Sequence, residues 1–199
     1  MTDYRLFTEI PDNTYDVVLA DCPWWYSGSP TKDAAAGKHY DLMGDTDIKG
    51  LPVHSLAAKR ALCFMWATCP RLDLAVATMG AWGFHFRGVA FVWVKSRRDG
   101  GLIHGQGVRP TVVKPTTEMV LVGATTRTGR PIPLQTEAMG QVLWEDGPDV
   151  VVAPRTGHSA KPEEVRSRIV HLFGPDIRYL ELFARGPEVA GWDRFGNEI

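Results

Sequence analysis

The hydrophobic positions of the chain form short apolar runs separated by amphipathic or Gly-rich stretches. The runs predict strands at residues 15–20, 61–67, 86–95, 118–124, 149–153 and 178–184. Apolar positions at helical spacing predict helices over residues 69–82 and 161–173, the second with Pro162 in its first turn. Continuous apolar strands with helices between them are typical of a mostly parallel sheet covered on both faces. The pattern therefore predicts an α/β fold.

Length and composition predict one domain over residues 1–199. A chain of 199 residues with 44% hydrophobic residues can bury a substantial core. No apolar run approaches the roughly eighteen residues that span a bilayer, and residues 1–10 lack the basic and apolar regions of a signal peptide. We therefore expect a cytoplasmic protein that does not contact membranes. The three cysteines form no C-x-x-C pair, and the six histidines show no metal spacing, so we expect reduced thiols and no metal site.

Three stretches between the predicted elements are candidates for mobile loops: residues 27–37, 96–115 and 127–133. The Gly-rich part of the second, "DGGLIHGQG", superficially resembles a phosphate-binding loop. It neither follows a short strand directly nor opens a helix, and those two features define such a loop. We therefore interpret it as a flexible connection.

Positive charge is concentrated in one segment of a chain whose net charge is only −1. Between residues 95 and 130, seven basic residues stand against two acidic ones, a local balance of +5. The basic residues are Lys95, Arg97, Arg98, Arg109, Lys114, Arg127 and Arg130. This segment fits either a solvated loop or a surface that follows nucleic-acid phosphates. The charges alone do not decide between the two.

The stretch "ADCPWWYSG", residues 20–28, places an acid, a proline and three aromatic residues directly after the first predicted strand. Ligands of open α/β sheets bind outside the carboxyl ends of the strands, where Asp21 lies. A carboxylate and a neighbouring backbone carbonyl can accept both protons of an exocyclic amine, while an aromatic ring stacks on the base. This arrangement suits the amino group of adenine, whose lone pair is delocalised into the ring. Accepting both protons favours the tetrahedral nitrogen that can attack a methyl group. The alternative role for Asp21 is a helix cap.

At these residues the chain resembles the MT-A70 family of adenine amino-methyltransferases. "ADCPW" is similar to that family's Asp-Pro-Pro-Trp signature, and the resemblance extends over nearly the whole chain. Further stretches follow in the family's order: "HYDLM", "FMWATCPRL", "WGFHFRGVAFVWVK", "TEMVLVGATTR", "HSAKPEEV", and "LELFAR" through "GWDRFGNE". The resemblance implies a Rossmann-like α/β fold and an enzyme that depends on S-adenosylmethionine. It also implies methyl transfer to the N6 amine of a flipped or single-stranded adenine in DNA or RNA.

The resemblance also implies roles for individual residues. The target adenine would be held by Asp21, the backbone carbonyl of Cys22, Pro23 and Trp24. The cofactor would be bound by Asp3, Asp21, Lys161, Glu181, Arg185, Asn197 and Glu198, with the Lys161 ammonium pairing the cofactor's carboxylate. Tyr40 lies where family members carry a tyrosine near the active site. Apart from the resemblance, we expect Trp25 and Tyr26 to contact the substrate, and the basic segment, with Lys95, Arg97, Arg98 and Arg109, to contact the nucleic-acid backbone. We expect Glu118 to be a structural or positioning residue, and Trp66 and Trp93 to be core residues.

The signature departs from the family at Cys22, which replaces its first proline. Since that position contributes a backbone carbonyl, the replacement is compatible with activity, but it loosens the turn and brings a thiol near a methyl donor. Two other functions stay open at this point: a catalytically inactive nucleic-acid-binding partner subunit, and a methyltransferase acting on the cytosine amine. A homodimer or a second protein is also a possible source of specificity.

Overall fold

The computed structural model describes residue 7 and residues 9–24, 42–103, 115–135, 149–156 and 160–196. The strands in this part of the chain are β1 (Tyr15–Ala20), β2 (Ala57–Thr68), β3 (His85–Ser96), β4 (Thr117–Ala124), β5 (Val150–Pro154), β6 (Tyr179–Leu182) and β7 (Trp192–Phe195). The helices are α1 (Asp45–Lys49), α2 (Val53–Leu56), a 3-10 turn (Cys69–Arg71), α3 (Leu72–Ala81) and α4 (Glu163–Phe173).

All seven described strands belong to one sheet, in the order β5-β3-β4-β2-β1-β6-β7. β4 is antiparallel to both of its neighbours, β2 and β3, whereas the other four pairings are parallel. Six strands therefore point the same way, which confirms the predicted mostly parallel sheet. We call the edge where these six strands end, and where β4 begins, the carboxyl edge of the sheet. The opposite edge is the amino edge.

Both faces of the sheet are covered, as the sequence predicts. On one face, α1, α2 and α3 pack over residues that include Val18, Cys63 and Leu121. On the other face, α4 packs over a second apolar cluster that includes Leu19 and Phe64. The alternating side chains of β1 divide between the two clusters, which is why its sequence is apolar throughout.

Two strands carry bulges near the amino edge. From Tyr15 to Val17, β1 advances two residues while its partner β2 advances from Ala57 to Leu62, so residues 58–61 bulge out of that ladder. In β3, the register with β4 slips at Arg87 and again at Ala90. A bulge re-aims the side chains it carries, and these two lie on the strands that flank β4 at its end.

Several predicted elements differ in extent from the observed ones. The helix predicted over residues 69–82 is a 3-10 turn followed by α3, and β6 is shorter than residues 178–184 because Phe183 adopts a φ of 59°. The sequence interpretation missed α1, α2 and β7, of five, four and four residues. Elements this short contain too few residues to reveal a hydrophobic period.

The stretch 127–133, predicted to be mobile, is held by side chains from two strands. Arg60 donates hydrogen bonds to the carbonyls of Arg130 and Pro131, and Arg87 donates to those of Thr126 and Gly129. The predicted loop at residues 27–37 lies outside the described residues. Among the described helices, none combines the length and apolar character that crossing a membrane requires.

Candidate active site

Asp21, Lys161 and Glu118 meet at the carboxyl edge of the sheet. Asp21 directly follows β1, Glu118 lies at the start of the antiparallel β4, and Lys161 precedes α4. Lys161 Nζ lies 3.0 Å from Asp21 Oδ1 and 3.2 Å from Glu118 Oε2. Residues 140 positions apart in the sequence thus form one ion-paired group, because the strand order places β1 and β4 on either side of β2.

A second lysine extends this group. Lys95 Nζ, near the end of β3, donates a hydrogen bond of 2.6 Å to Glu118 Oε1. The side chains of Asp21, Lys161, Glu118 and Lys95 are 19%, 13%, 12% and 22% exposed, so all four charges are largely removed from water. We call these four residues the site network. Two positive and two negative charges alternate along it, and its formal charge is zero.

Two tryptophans lie beside the lysines of the site network. Lys161 Nζ is 5.5 Å from the ring centroid of Trp66, and Lys95 Nζ is 5.2 Å from that of Trp93. The two rings are buried and meet edge to face at 6.1 Å, which confirms that both belong to the core. Each indole therefore offers a lysine the negative face of its ring while its other contacts fix its position.

Burial and pairing act against each other on the charged groups of the site network. Burial raises the pKa of Asp21, although Lys161 and Arg185 oppose the shift. Burial also acts to raise the pKa of Glu118, but Lys161 and Lys95 together lower it below its ordinary value. For Lys161, burial disfavours the charged form, yet Asp21 and Glu118 outweigh it and raise the pKa. Lys161 is thus a permanent cation at neutral pH, and Asp21 is the carboxylate that is easier to protonate.

The residues after Asp21 form a compact turn. Trp24 N–H donates to the Cys22 carbonyl at 2.8 Å, and Met43 N–H donates to the Pro23 carbonyl at 3.1 Å. The Cys22 carbonyl keeps one lone pair for a further donor. The Trp24 ring is 3% exposed, and its indole N–H has no acceptor in the described part of the chain. The structure therefore places Trp24 within the core cluster beneath the site.

Cys22 is a buried thiol. Its side chain packs in the core cluster, where burial, with contributions from Asp21 and Cys63, raises its pKa well above the ordinary value. A thiol that stays protonated is a poor nucleophile, because the thiolate is the reactive form. The thiol that the sequence places near a methyl donor is therefore held in an unreactive state.

Glu181 forms a separate buried ion-pair group near the end of β6. Its two carboxylate oxygens accept hydrogen bonds from Arg166 Nη1 of α4 at 2.8 Å and Arg194 Nε of β7 at 2.6 Å. Arg194 also donates to the Arg185 carbonyl at 2.7 Å. Arg185 in turn lies close enough to Asp21 to act on its pKa. Glu181 thus connects α4, β6 and β7 behind the site network.

The predicted substrate contacts that the structure describes do not share one environment. Lys95 belongs to the site network, where its charge is paired with Glu118. Arg97 and Arg98 are exposed beyond the end of β3, and Arg97 pairs with Asp99 at 3.1 Å. The predictions for Asp3, Trp25, Tyr26, Tyr40, Arg109, Asn197 and Glu198 lie outside the described residues.

The basic segment of residues 95–130 does not form one surface. Arg97 and Arg98 lie at the carboxyl edge, whereas Arg127 and Arg130 follow β4 at the amino edge. The antiparallel direction of β4 causes this separation, because the strand carries the chain from one edge to the other. The interpretation of this segment as a surface that follows phosphates must therefore divide it between the two edges of the sheet.

The expectation that Glu118 is a structural or positioning residue agrees with the structure, although the sequence did not identify its partners. Glu118 is the shared partner of Lys95 and Lys161, and so it positions both ammonium groups. The only signal for these contacts in the sequence was that Glu118 opens one predicted strand and Lys95 ends another. Arg166 and Arg194, the partners of Glu181, were not predicted at all.

The site network fits one end of S-adenosylmethionine in its chemistry. An amino-acid end carries a carboxylate and an ammonium, and Lys161 and Asp21 offer the opposite charges 3.0 Å apart. An ammonium has three donors, and Lys161 faces two protein carboxylates, so a third acceptor can be accommodated. Among the described residues, no cluster of three or more His, Cys, Asp or Glu side chains is arranged to hold a metal ion.

Comparison with known proteins gives one family and two relatives. The model of the MT-A70 family matches residues 15–198. The type II methyltransferase M.MunI of Mycoplasma sp is 31% identical in an alignment that is 213 residues long with its gaps and covers 98% of this chain and 82% of that protein. The N(6)-adenine-specific methyltransferase METTL4 of Mus musculus is 27% identical over 192 residues, covering 94% of this chain and 38% of the mouse protein.

Proposed function

The chain belongs to the MT-A70 family and is a methyltransferase, and from that premise we propose that it methylates the N6 amine of adenine in nucleic acid with S-adenosylmethionine. The observation that carries the proposal is the placement of Lys161 between Asp21 and Glu118 at the carboxyl edge. The mouse relative's name specifies N(6)-adenine, which agrees with the chemistry of the signature residues.

Lys161 and Asp21 would hold the cofactor. The third donor of the Lys161 ammonium would bind its carboxylate, and Asp21 would lie near its amino group. Because Glu118 retains Lys161 from the other side, the ammonium keeps its position while Asp21 turns toward substrate. When bound, the cofactor supplies a methyl group on a sulfonium. Glu181, with both oxygens engaged by arginines, would support the site through Arg194 and Arg185.

Asp21 and the Cys22 carbonyl would hold the adenine. Two acceptors of this kind can take the two protons of the N6 amine, which localises its lone pair for in-line attack on the methyl group. The N6–methyl bond would form as the methyl–sulfur bond breaks, and the proton that the amine then loses would pass by way of the Asp21 carboxylate to water. The free lone pair of the Cys22 carbonyl matters here because Trp24 N–H occupies the other one.

The target would be a base in DNA or RNA presented outside a stack. An adenine within a duplex must be flipped before its amine can reach a site at the edge of a sheet. Arg97 and Arg98, exposed beyond the end of β3, are the described residues that would contact phosphates next to the site. We propose one catalytic domain over residues 1–199.

The test is methyl transfer from labelled S-adenosylmethionine to single- and double-stranded DNA and RNA, followed by digestion to nucleosides. We expect label in N6-methyladenine from at least one substrate, and its loss in Asp21→Ala. Asp73→Ala, which removes an exposed carboxylate of α3, is the matched control and should keep full activity. Label in methylcytosine, or no transfer together with no cofactor binding, would contradict the proposal. The second result would favour an inactive nucleic-acid-binding subunit.

A further inference from the structure

A cluster of cations lies at the amino edge of the sheet, opposite the site network. Five basic residues and one exposed aromatic residue meet where β2 and β3 begin and β4 ends. We call them the amino-edge surface: Lys59, Arg60, Phe86, Arg87, Arg127 and Arg130. All six are exposed, and Phe86 is 44% exposed.

The two bulges present three of these cations. Lys59 and Arg60 are consecutive residues of the β2 bulge, and both point to solvent, which a regular strand would not allow. Arg87 is the residue that the β3 register skips between Phe86 and Gly88. Bulges of this kind commonly re-aim side chains for a functional purpose. Here they direct cations outward on both sides of the end of β4.

The turn after β4 supplies the other two cations and fixes the arrangement. Arg60 donates to the Pro131 carbonyl at 2.9 Å, and Arg87 donates to the Thr126 carbonyl at 2.5 Å. Carbonyl acceptors orient these guanidinium groups without cancelling their charge. Arg127 and Arg130 lie in the same turn, so the cations of the surface are held near one another before any ligand arrives.

Pairing with carboxylates would cancel the charge of these cations. In the described ranges, none of the five cations forms an ion pair with a carboxylate, although Asp12 and Asp16 lie at the neighbouring start of β1. Asp16 instead accepts a hydrogen bond from Arg178 N–H. Like charges placed together destabilise a fold, so five neighbouring cations, two of them with oriented guanidinium groups, indicate a polyanionic ligand.

We propose that the amino-edge surface binds the phosphates of the nucleic acid substrate at a distance from the target base. The partner is a nucleic acid because fixed guanidinium groups suit phosphates and the exposed Phe86 ring can pack on a base or sugar. This inference rests on the proposed function for its substrate. β4 has eight residues, so the two edges are about 25 Å apart at about 3.3 Å per residue. That distance corresponds to at least about seven base pairs of duplex.

The test compares binding of a 24-base-pair duplex and of a six-nucleotide strand by fluorescence anisotropy over a range of salt concentrations. The variant is Arg127→Ala with Arg130→Ala, because these residues are exposed and the hydrogen bonds that hold the turn come from Arg60 and Arg87. Arg168→Ala, which removes an arginine of α4 outside this surface, is the control. Thermal unfolding verifies the fold of each variant.

We expect the double variant to bind the long duplex about tenfold more weakly and to lower the salt slope by about two. Its binding of the six-nucleotide strand and its methylation of that strand should match the unmodified protein. Unchanged duplex affinity and slope in the double variant would overturn the proposal, even if methylation is observed. Absence of methylation with the expected change in duplex binding would contradict the proposed function and leave the surface supported.

Discussion

The two edges of the sheet use charged residues in opposite ways. At the carboxyl edge, Lys95 and Lys161 are largely buried, and each is bound to a carboxylate. At the amino edge, Arg60 and Arg87 are exposed, and their acceptors in the described part of the chain are backbone carbonyls and the Thr126 hydroxyl. A buried charge must be paired to be tolerated, whereas an exposed unpaired charge projects its field to a ligand. The difference separates a site built for one small, defined group from a surface suited to a long polyanion.

The largest expected effect comes from Lys161→Met, which leaves two largely buried carboxylates facing each other. We expect the free energy of unfolding at pH 7 to fall by about 3 kcal/mol, the usual cost of breaking a buried pair. Lys59→Met at the amino edge should change it by less than about 0.5 kcal/mol. Urea unfolding of both variants measures the contrast, and equal effects would contradict it.

The pH dependence of Lys161→Met sharpens this prediction. Burial already raises the pKa of Asp21 above its ordinary value of 3.8, and loss of the opposing ammonium should raise it further, whereas Lys95 would still lower the pKa of Glu118. The native state of the variant then binds more protons than the unfolded state as pH falls from 7 toward that value. The difference in the free energy of unfolding between the variant and the unmodified protein should therefore be smaller at pH 5 than at pH 7.

Glu181→Gln should have the next largest effect. Arg166 and Arg194 would lose their shared carboxylate, and the amide would turn a donor toward one of them. We expect a loss of about 2 kcal/mol in the free energy of unfolding. Cofactor affinity, measured by calorimetry below the unfolding transition, should change by less than about threefold if Glu181 acts only as support. A loss of about tenfold or more without destabilisation would instead make it a cofactor ligand.

We expect the acid limb of the pH–activity profile to depend on Asp21. Because burial raises its pKa above the ordinary 3.8, kcat/KM should begin to fall at a higher pH than an unperturbed aspartate would give. Arg185→Gln removes a charge that lowers this pKa, so the limb should move to still higher pH. Activity that persists at pH 4 as at pH 7 would show that Asp21 need not be ionised. Thermal unfolding across the same pH range separates titration from loss of fold.

The smallest expected effect is at the exposed arginines of the carboxyl edge. Arg97→Ala with Arg98→Ala should weaken duplex binding only about threefold, because Asp99 already offsets part of the charge of Arg97. The corresponding double variant of Arg127 and Arg130 should weaken it about tenfold. The ratio of the two affinities, measured in the same salt series, shows which edge contributes more to duplex binding. A reversed ratio would mean that nucleic acid is held mainly next to the site.

The sequence predicted well whatever depends on local pattern. The apolar run of β1 gave its bounds, and the polar group after it singled out Asp21, which the structure places in the site network. The resemblance supplied Lys161, which the fold brings to within 3.0 Å of Asp21. These inferences needed no knowledge of strand order.

Strand order and register explain what the sequence could not provide. Charges counted along residues 95–130 were divided between two edges because β4 reverses the chain direction. The bulges that expose Lys59, Arg60 and Arg87 exist only relative to partner strands, so no local pattern predicts them. The pairing of Glu118 with two lysines likewise depends on β4 lying between β2 and β3.

The most direct test of the account is the affinity of S-adenosylmethionine for the protein with Lys161→Met, measured by calorimetry at a pH and temperature where the variant is folded. We predict an affinity at least about thirtyfold weaker than that of the unmodified protein, as expected for the loss of a charged hydrogen bond. Lys59→Met, an equal change at the amino edge, should bind the cofactor normally. Undiminished affinity in folded Lys161→Met would contradict the assignment of the site network as the methyl-transfer centre.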